Sequence, residues 1–337
     1  MSITHENHPL KKHNSFGVDA RSSLFAAPSS IDELRSILEA YDYSNYPLLV
    51  MGEGSNMLFT RDYEGLILSP AMKGVELLEE NESGVLVKVG AGENWDNWVE
   101  KAGMEGWFGL ENLSLIPGSV GSAPVQNIGA YGVELKDLFD SLEAWDLKEK
   151  RMVSLDHKTC RFGYRSSIFK GEARRRYIIT SVNFRLSKMP VLKLKYGRIA
   201  EAFSEAGGST PADLRQVVVD IRNQKLPDPE KIGNAGSFFK NPLVDRTIFK
   251  CIRVDHSDIP SYPDCDNQVK IPAAWLIEKS GWKGKRIGNV GTWPTQPLVI
   301  INHGGASGQE ILDFSIQIQD SVEEHFGISL EREVNVI

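Results

Sequence analysis

Leu48-Leu49-Val50-Met51-Gly52-Glu53-Gly54-Ser55-Asn56 sets a short apolar run against a glycine-rich turn. Such a run suits a buried strand, and the turn after it brings bare backbone N–H groups to a place where phosphate can be held. The same order returns where Val85, Val87 and Val89 alternate into Gly90-Ala91-Gly92-Glu93. Neither turn completes the GxGxxG spacing, whose third glycine lets helix and strand pack closely, so the Rossmann fingerprint is excluded. Walker A, HExxH and EF-hand patterns are absent as well. Outward from these turns, Ser30-Ile31-Asp32-Glu33 reads as a capping box, followed by Ile31, Leu34, Leu38 and Tyr41 at helical spacing. Leu66–Leu68 forms a second apolar run, and Trp95, Trp98, Val99 and Ala102 predict a short helix stopped by Gly103. Strands alternating with helices predict an α/β or α+β fold.

The stretch 109–132 has a different texture. Gly109, Gly118, Gly121, Gly129 and Gly132 sit among Asn112, Pro117, Pro124 and Asn127. A loop that long inside a compact domain is usually functional. Taken with the two earlier turns, it points to a phosphate-bearing cofactor. Ile178, Val182, Phe184 and Leu186 alternate with Ile179, Ser181, Asn183 and Arg185 as a strand. Residues 188–210 read as irregular. Leu214, Val217, Val218 and Ile221 then predict a helix that Leu226-Pro227-Asp228-Pro229 stops, with a domain change near that point. A last helix starts at the capping box Ser307–Glu310 and ends at Gly327. Ile328, Leu330 and Val334 then alternate with Ser329, Glu331, Glu333 and Asn335 as a final strand.

A chain of 337 residues suggests about two domains. With 38 Lys and Arg against 45 Asp and Glu, the formal net charge is −7, which disfavours broad nucleic-acid or lipid binding. Cys160, Cys251 and Cys265 are far apart and odd in number, so no disulfide framework or zinc site is expected and a reducing cytosol fits. His5 and His8 fall in an expected frayed tail, and no metal is assigned. No apolar run reaches the roughly 18 residues that a membrane-spanning helix needs.

Three further segments carry reactive side chains. In Cys160-Arg161-Phe162-Gly163-Tyr164-Arg165-Ser166-Ser167, two arginines beside a tyrosine are suited to clamping a carboxylate or phosphate, or to a surface salt bridge. In Asn234-Ala235-Gly236-Ser237-Phe238-Phe239-Lys240-Asn241, Ser237 reads either as a turn serine or as a hydroxyl able to deliver a proton in a dry pocket. Glu333, taken alone, is a carboxylate on the polar face of the final strand. Arg174-Arg175-Arg176 reads as a solvated charge run.

Together these motifs closely resemble one family. Gly52-Glu-Gly-Ser-Asn56, Gly90-Ala-Gly-Glu-Asn-Trp95, Gly109-Leu-Glu-Asn-Leu113, Ile116-Pro-Gly118, Val125-Gln-Asn-Ile-Gly-Ala-Tyr-Gly132, Cys160-Arg-Phe-Gly-Tyr-Arg165, Lys225-Leu-Pro-Asp-Pro229 and Gly233-Asn-Ala-Gly-Ser-Phe-Phe-Lys-Asn-Pro242 match the UDP-N-acetylenolpyruvoylglucosamine reductases in order, over nearly the whole chain. The resemblance implies an α+β protein with a two-lobed FAD-binding module of the vanillyl-alcohol-oxidase (PCMH) type over 15–187, with lobes 15–72 and 73–187. A substrate-binding domain would cover 188–337, including a tyrosine-bearing loop at about 188–210. It implies non-covalent FAD with NADPH as co-substrate, a UDP-sugar substrate, and a cytoplasmic, monomeric enzyme of peptidoglycan precursor synthesis. Hydride would pass from flavin N5 to C3 of the enolpyruvyl group.

Carried over by position, Ser237 matches the proton donor, and Arg165 and Glu333 match the groups beside the substrate carboxylate. Tyr164, Tyr196, Lys225, Asn241 and Gln296 resemble the substrate contacts. FAD contacts are expected from Gly52, Gly54, Ser55, Asn56, Gly90, Gly92, Pro117, Gly118, Ser119, Gly121, Ser122, Asn127, Gly129, Ala130, Tyr131 and Gly132. Ser119 stands where the family often has cysteine, and Ala123 where it often has serine. Two alternatives stay open: another FAD oxidoreductase on the same scaffold, and a nucleotide-sugar sensor without activity.

Overall fold

A computed structural model describes residues 4–263 and 267–337; Cys265 lies outside them. The chain divides into two compact units, the first of residues 4–8, 22–53 and 64–222, the second of 9–21, 54–63 and 223–337.

The first unit holds two sheets. A four-stranded sheet places Thr4–Pro9, Arg21–Ala26, Tyr63–Leu68 and Leu48–Val50 side by side, the last pair parallel. The helix Ile31–Ala40 buries Leu34, Ile37 and Leu38, which share a core with Leu66 and Leu68. Ser30 caps it by accepting from the Glu33 N–H, but the Glu33 carboxylate reaches back to Ser29 (2.7 Å to its N–H) rather than to Ser30. The N-terminal strand replaces the expected frayed tail, with the His8 ring stacked on Phe25 at 4.3 Å.

The second sheet is antiparallel, in the order Arg151–Asp156, Phe139–Asp146, Tyr177–Ser187, Gly84–Gly90, Val75–Glu80. Tyr177–Ser187 is its centre and is buried on both faces from Ile178 to Phe184, so its alternation does not separate core from solvent. The helix Trp95–Met104 sets Trp95 and Trp98 against Phe184, with ring centroids 6.0 and 5.7 Å away. Arg174 and Arg175 are exposed, as a solvated run requires, while the partly exposed Arg176 guanidinium also bonds the buried Asp146 carboxylate at 2.7 Å.

The division of the chain differs from the expected 187/188 boundary. The unit changes at Arg222/Asn223, close to the proline stop. The reason is a small core in which Leu214, Val217 and Val218 of the helix Pro211–Lys225 pack with Ile199 and Phe203, and with Tyr131 of the first unit. Ile199 and Phe203 belong to a short helix, Ile199–Glu205, inside the stretch read as irregular. Residues 9–21 group with the second unit because Phe16 and Val18 join its core, where the Asn302 amide donates to the Phe16 carbonyl at 3.0 Å.

The second unit is built on a four-stranded antiparallel sheet, Gly233–Ser237, Gln296–Asn302, Val290–Trp293 and Arg286–Ile287. The helix Gly308–Phe326 covers it with Ile311, Phe314, Ile318 and Val322. Both bonds of its Ser307–Glu310 capping box form. Only Asn335–Val336 forms the last strand, parallel to Met57–Leu58. Ile328, Leu330 and Val334 are buried as the alternation requires, but Glu333 lies before the strand, in backbone that pairs with the segment after Ser237 only through the isolated Arg332–Phe239 bridge.

Two tests follow. A Cβ on Gly308 would lie 1.7 Å from the Phe59 carbonyl oxygen, so Gly308→Ala should lower stability by about 2 kcal/mol in urea unfolding. Burial, with Asp156 adding to it, pushes the Cys160 thiol up to about 12, whereas Cys251 is exposed. At pH 8 a thiol reagent should label Cys251 in the native protein and Cys160 only on unfolding, read by mass spectrometry of digests.

Candidate active-site residues

The glycine turns of the first unit use much of their backbone internally. The N–H groups of Gly90, Gly92 and Gly121 donate to the carbonyls of Gly74, Met72 and Ala91 at 2.9, 2.8 and 2.8 Å. The Ser122 N–H and hydroxyl both bond the Ser119 carbonyl, at 3.0 and 2.7 Å. Among the described residues, the N–H groups of Gly52, Glu53, Gly118 and Ser119 donate to nothing. Their two turns lie together: a Cβ on Gly52 would fall 2.4 Å from the Ser119 hydroxyl oxygen. Pro117 leads into this second turn, and Ser119 is 5% exposed. Unpaired N–H groups on adjoining glycine turns, with only the small Ser119 and Ser122 side chains near them, are what a diphosphate-bearing cofactor needs, so the residues present fit FAD.

The stretch 109–132 is ordered by short 3₁₀ turns at Glu111–Leu113 and Val120–Gln126, then by the hairpin Gly129–Ala130/Val133–Glu134. Tyr131 and Gly132, at φ +50° and +82°, form its two-residue turn. Both central residues of such a tight hairpin take positive φ, which glycine accepts without strain. Asn127 is fully buried. Its amide donates to the Glu134 carboxylate and the Gly163 carbonyl, each at 3.0 Å, and its oxygen accepts from the Lys136 N–H at 3.0 Å.

That link leads to Arg165. Gly163 and Ser166 exchange backbone hydrogen bonds of 3.0 and 3.2 Å, so Tyr164 and Arg165 stand at the tip of a tight turn. Arg165 sits at φ +50°, stacks 5.5 Å from the Tyr164 ring centre and donates from Nη2 to the Gly129 carbonyl at 2.7 Å. A second arginine, which the sequence reading passed over, belongs to this group. Arg222 has a buried Nε without a hydrogen-bond partner among the described residues. Burial holds its guanidinium below the ordinary range, Tyr131 and Asp96 oppose that shift, and the Arg165 charge adds to it. Burial also raises the Tyr131 hydroxyl above its usual range, against the pull of Arg222. Tyr196 lies beside this hairpin, its ring 6.4 Å from that of Tyr131 at 79°.

In the second unit Ser237 ends the strand Gly233–Ser237. Asn234 pairs with Ile301 and Ser237 with Val299, so three steps on one strand face two on the other. This is a bulge, which re-aims the side chain that follows it. Gly236 supplies the positive φ of +66°, and the buried Asn234 fixes the bend by accepting from the Gly236 N–H at 3.0 Å. The Ser237 hydroxyl bonds to nothing among the described residues and is half-buried. Glu333 is brought alongside: its N–H donates to the Phe238 carbonyl at 2.8 Å, and its own carbonyl accepts from the Asn56 amide at 3.1 Å. The Asn56 carbonyl in turn accepts from the Asn335 N–H at 3.1 Å. The Ser15 hydroxyl donates to the Ser55 carbonyl at 3.1 Å, and Gly54 lies against the His13 carbonyl.

The remaining expected contacts are also in the second unit. Lys225 ends its helix with an exposed side chain, and its carbonyl accepts from the Thr295 hydroxyl at 3.0 Å. Asn241 accepts from the Ala273 N–H at 2.9 Å, at the start of the helix Ala273–Lys279. Gln296 opens its strand with a buried Oε1 that has no hydrogen-bond partner among the described residues. Among the described residues, no group of three His, Cys, Asp or Glu is placed to hold a metal, and no helix is long and apolar enough to cross a membrane.

The left-handed backbone of Arg165 is strained for any residue with a Cβ. Arg165→Gly and Arg165→Ala both lose the bond to Gly129, so comparing them isolates that strain. The glycine variant should be the more stable by about 1 kcal/mol in chemical unfolding.

Comparison with known proteins gives one consistent family. The family model for the UDP-N-acetylenolpyruvoylglucosamine reductase C-terminal domain matches residues 228–337, and an FAD-binding-domain model matches 22–154. The UDP-N-acetylenolpyruvoylglucosamine reductase of Pseudomonas aeruginosa is 46% identical over 339 residues, covering 100% of both chains. That of Bacteroides fragilis is 43% identical, covering 98% of this chain and 99% of its own. The solved UDP-N-acetylenolpyruvylglucosamine reductase of Thermus caldophilus shares the fold at a TM-score of 0.66 and 22% identity, over 99% of this chain and 97% of its own. The α+β class and an FAD-binding domain stand with these matches. The chain belongs to the UDP-N-acetylenolpyruvoylglucosamine reductase family of NADPH- and FAD-dependent oxidoreductases.

Proposed function

We propose that this chain reduces UDP-N-acetyl-3-O-(1-carboxyvinyl)-glucosamine to UDP-N-acetylmuramate, as a cytoplasmic monomer in peptidoglycan precursor synthesis. FAD, when bound, supplies to C3 of the enolpyruvyl group the hydride it has taken from NADPH. The turns at Gly52–Glu53 and Gly118–Ser119 hold its diphosphate through their unpaired N–H groups.

Addition at C3 drives negative charge toward the substrate carboxylate. Arg165 answers that charge. Its fixed guanidinium binds the enolate form more strongly than the ground state, which lowers the barrier rather than merely tightening binding. The strained backbone at its turn and the bond to Gly129 keep the planar fork oriented before substrate arrives. Glu333, in its protonated form, donates a hydrogen bond to the same carboxylate. Ser237 then gives a proton to C2 from one face and sets the stereocentre. The observation that carries this reading is Ser237 at the point where pairing resumes after the bulge: a half-buried hydroxyl, unengaged among the described residues, with the Glu333 backbone tied to the next residue. Tyr164, Tyr196, Lys225, Asn241 and Gln296 complete the reading as contacts to the UDP-sugar. The buried, unpartnered Gln296 oxygen is an acceptor waiting for a donor.

Stopped-flow absorbance of the flavin separates the two halves of the reaction. Ser237→Ala should bleach with NADPH at the parent rate, yet recolour with the enolpyruvyl sugar nucleotide at least about 100-fold more slowly, the usual scale for a lost general acid. Recolouring at the parent rate would remove the proton-donor role.

A further inference from the structure

Asn112 is 1% exposed and sits on the 3₁₀ turn Glu111–Leu113. Leu110 and Leu113 anchor that turn in the core of the larger sheet, and the Glu111 carboxylate accepts from the Gly109 N–H at 2.9 Å. The turn is therefore fixed on the scaffold. From it the Asn112 amide donates twice, to the Tyr131 carbonyl at 3.0 Å and to the Lys193 carbonyl at 2.9 Å. The two acceptors come from separate segments, the hairpin turn and the extended stretch that leads to Tyr196. The Asn112 Oδ1 is buried with no hydrogen-bond partner among the described residues, so the side chain gives up half its bonding capacity to keep both donors in place.

The stretch after Lys193 is laid close to the hairpin. A Cβ on Gly132 would lie 3.2 Å from the Tyr196 Cβ, a separation so tight that the Tyr196 segment would have to shift by a few tenths of an ångström. Leu192 and Leu194 pack beside Tyr131 on the small core of Ile199, Phe203 and Leu214. Lys193 and Lys195 alternate with them on the exposed side. The segment is thus held by two half-buried leucines and by the Asn112 bond to the carbonyl between them.

We propose that Asn112 is a positioning residue for substrate uptake: its amide ties the Tyr196 segment to the Tyr131–Gly132 turn in the arrangement that receives the UDP-sugar. The inference rests on the reading of Tyr196 as a UDP-sugar contact. Asn112 itself touches no substrate. It acts by removing the alternative positions of Tyr196 that binding would otherwise have to remove, so its effect falls on substrate affinity and not on the reduction of FAD.

The test uses FAD-loaded enzyme. Asn112→Asp keeps the size but sets a carboxylate against two carbonyls, and Asn112→Ala removes the donors without adding charge. Both should bleach with NADPH within about two-fold of the parent, while KM for the enolpyruvyl sugar nucleotide rises about ten-fold and kcat holds, as the loss of two modest hydrogen bonds predicts. Trypsin should cut faster after Lys193 and Lys195 in both variants. An unchanged KM in both variants beside a raised KM in Tyr196→Phe overturns the proposal. So does a loss of FAD or of bleaching rate that parallels the change in KM, since that marks a residue of general structure. If Tyr196→Phe leaves KM unchanged, the UDP-sugar reading of Tyr196 is what fails. Cleavage after Lys193 and Lys195 then decides on the tie alone: faster cutting supports it, and parent-like cutting overturns it.

Discussion

Buried backbone that is neither helix nor strand must still find hydrogen-bond partners, and in this chain asparagine amides supply them. Asn127 joins the hairpin carrying Tyr131 to the turn carrying Arg165. Asn112 joins that hairpin to the segment carrying Tyr196. Asn234 bends the strand that presents Ser237, and Asn56 holds the carbonyl of Glu333. Every proposed catalytic side chain therefore stands on irregular backbone that an asparagine fixes. An amide is suited to this work because it both donates and accepts while carrying no charge to desolvate. Aspartate at the same places would offer only acceptors to backbone carbonyls.

The glycine turns meet a different demand. At Gly90, Gly92 and Gly121 the missing side chain lets backbone meet backbone, and the N–H groups are consumed there. At Gly52 and Gly118 the N–H groups are left over. The first set builds the frame and the second gives it a reason, since unpaired donors in a crowded turn cost stability until an acceptor arrives. A bound diphosphate supplies such acceptors and, by mass action, adds its binding energy to the stability of the first unit.

The regular elements were legible in the sequence because their signals are local. Ser30 and Ser307 mark helix starts, and Val85 to Val89 mark a strand by period alone. The family motifs carried the candidate side chains in the same way, one short segment at a time. What the sequence hid is long-range. Residues 9–21 look like a leader to the first lobe, yet Phe16 and Val18 belong to a core made largely of residues beyond 237. The alternation from Ile328 to Val334 correctly marks which side chains are buried, but the ladder it suggests forms only at Asn335–Val336, where Met57–Leu58 is at hand. Arg222 and Asn112 carry no special pattern. Nothing near Arg222 marks it as the arginine whose Nε is buried, and Asn112 is one letter of a glycine-rich motif until its two acceptors are placed.

Arg222 also bears on why Arg165 is an arginine. The Arg165 charge is close enough to disfavour that of Arg222. Asp96, the carboxylate that would balance them, is already engaged by Arg215 at 2.9 and 3.1 Å and by the Leu115 N–H at 2.5 Å. A lysine in such company would relieve the repulsion by losing its proton, because its ordinary pKa is within reach of burial and a neighbouring cation. A guanidinium stays charged and stays planar. The positive field of this unit is therefore permanent, and it is strongest where burial keeps water from screening it. A field of that kind stabilises an enolate and carboxylate more than a neutral enol ether, which is the preference the proposed reduction at C3 would require.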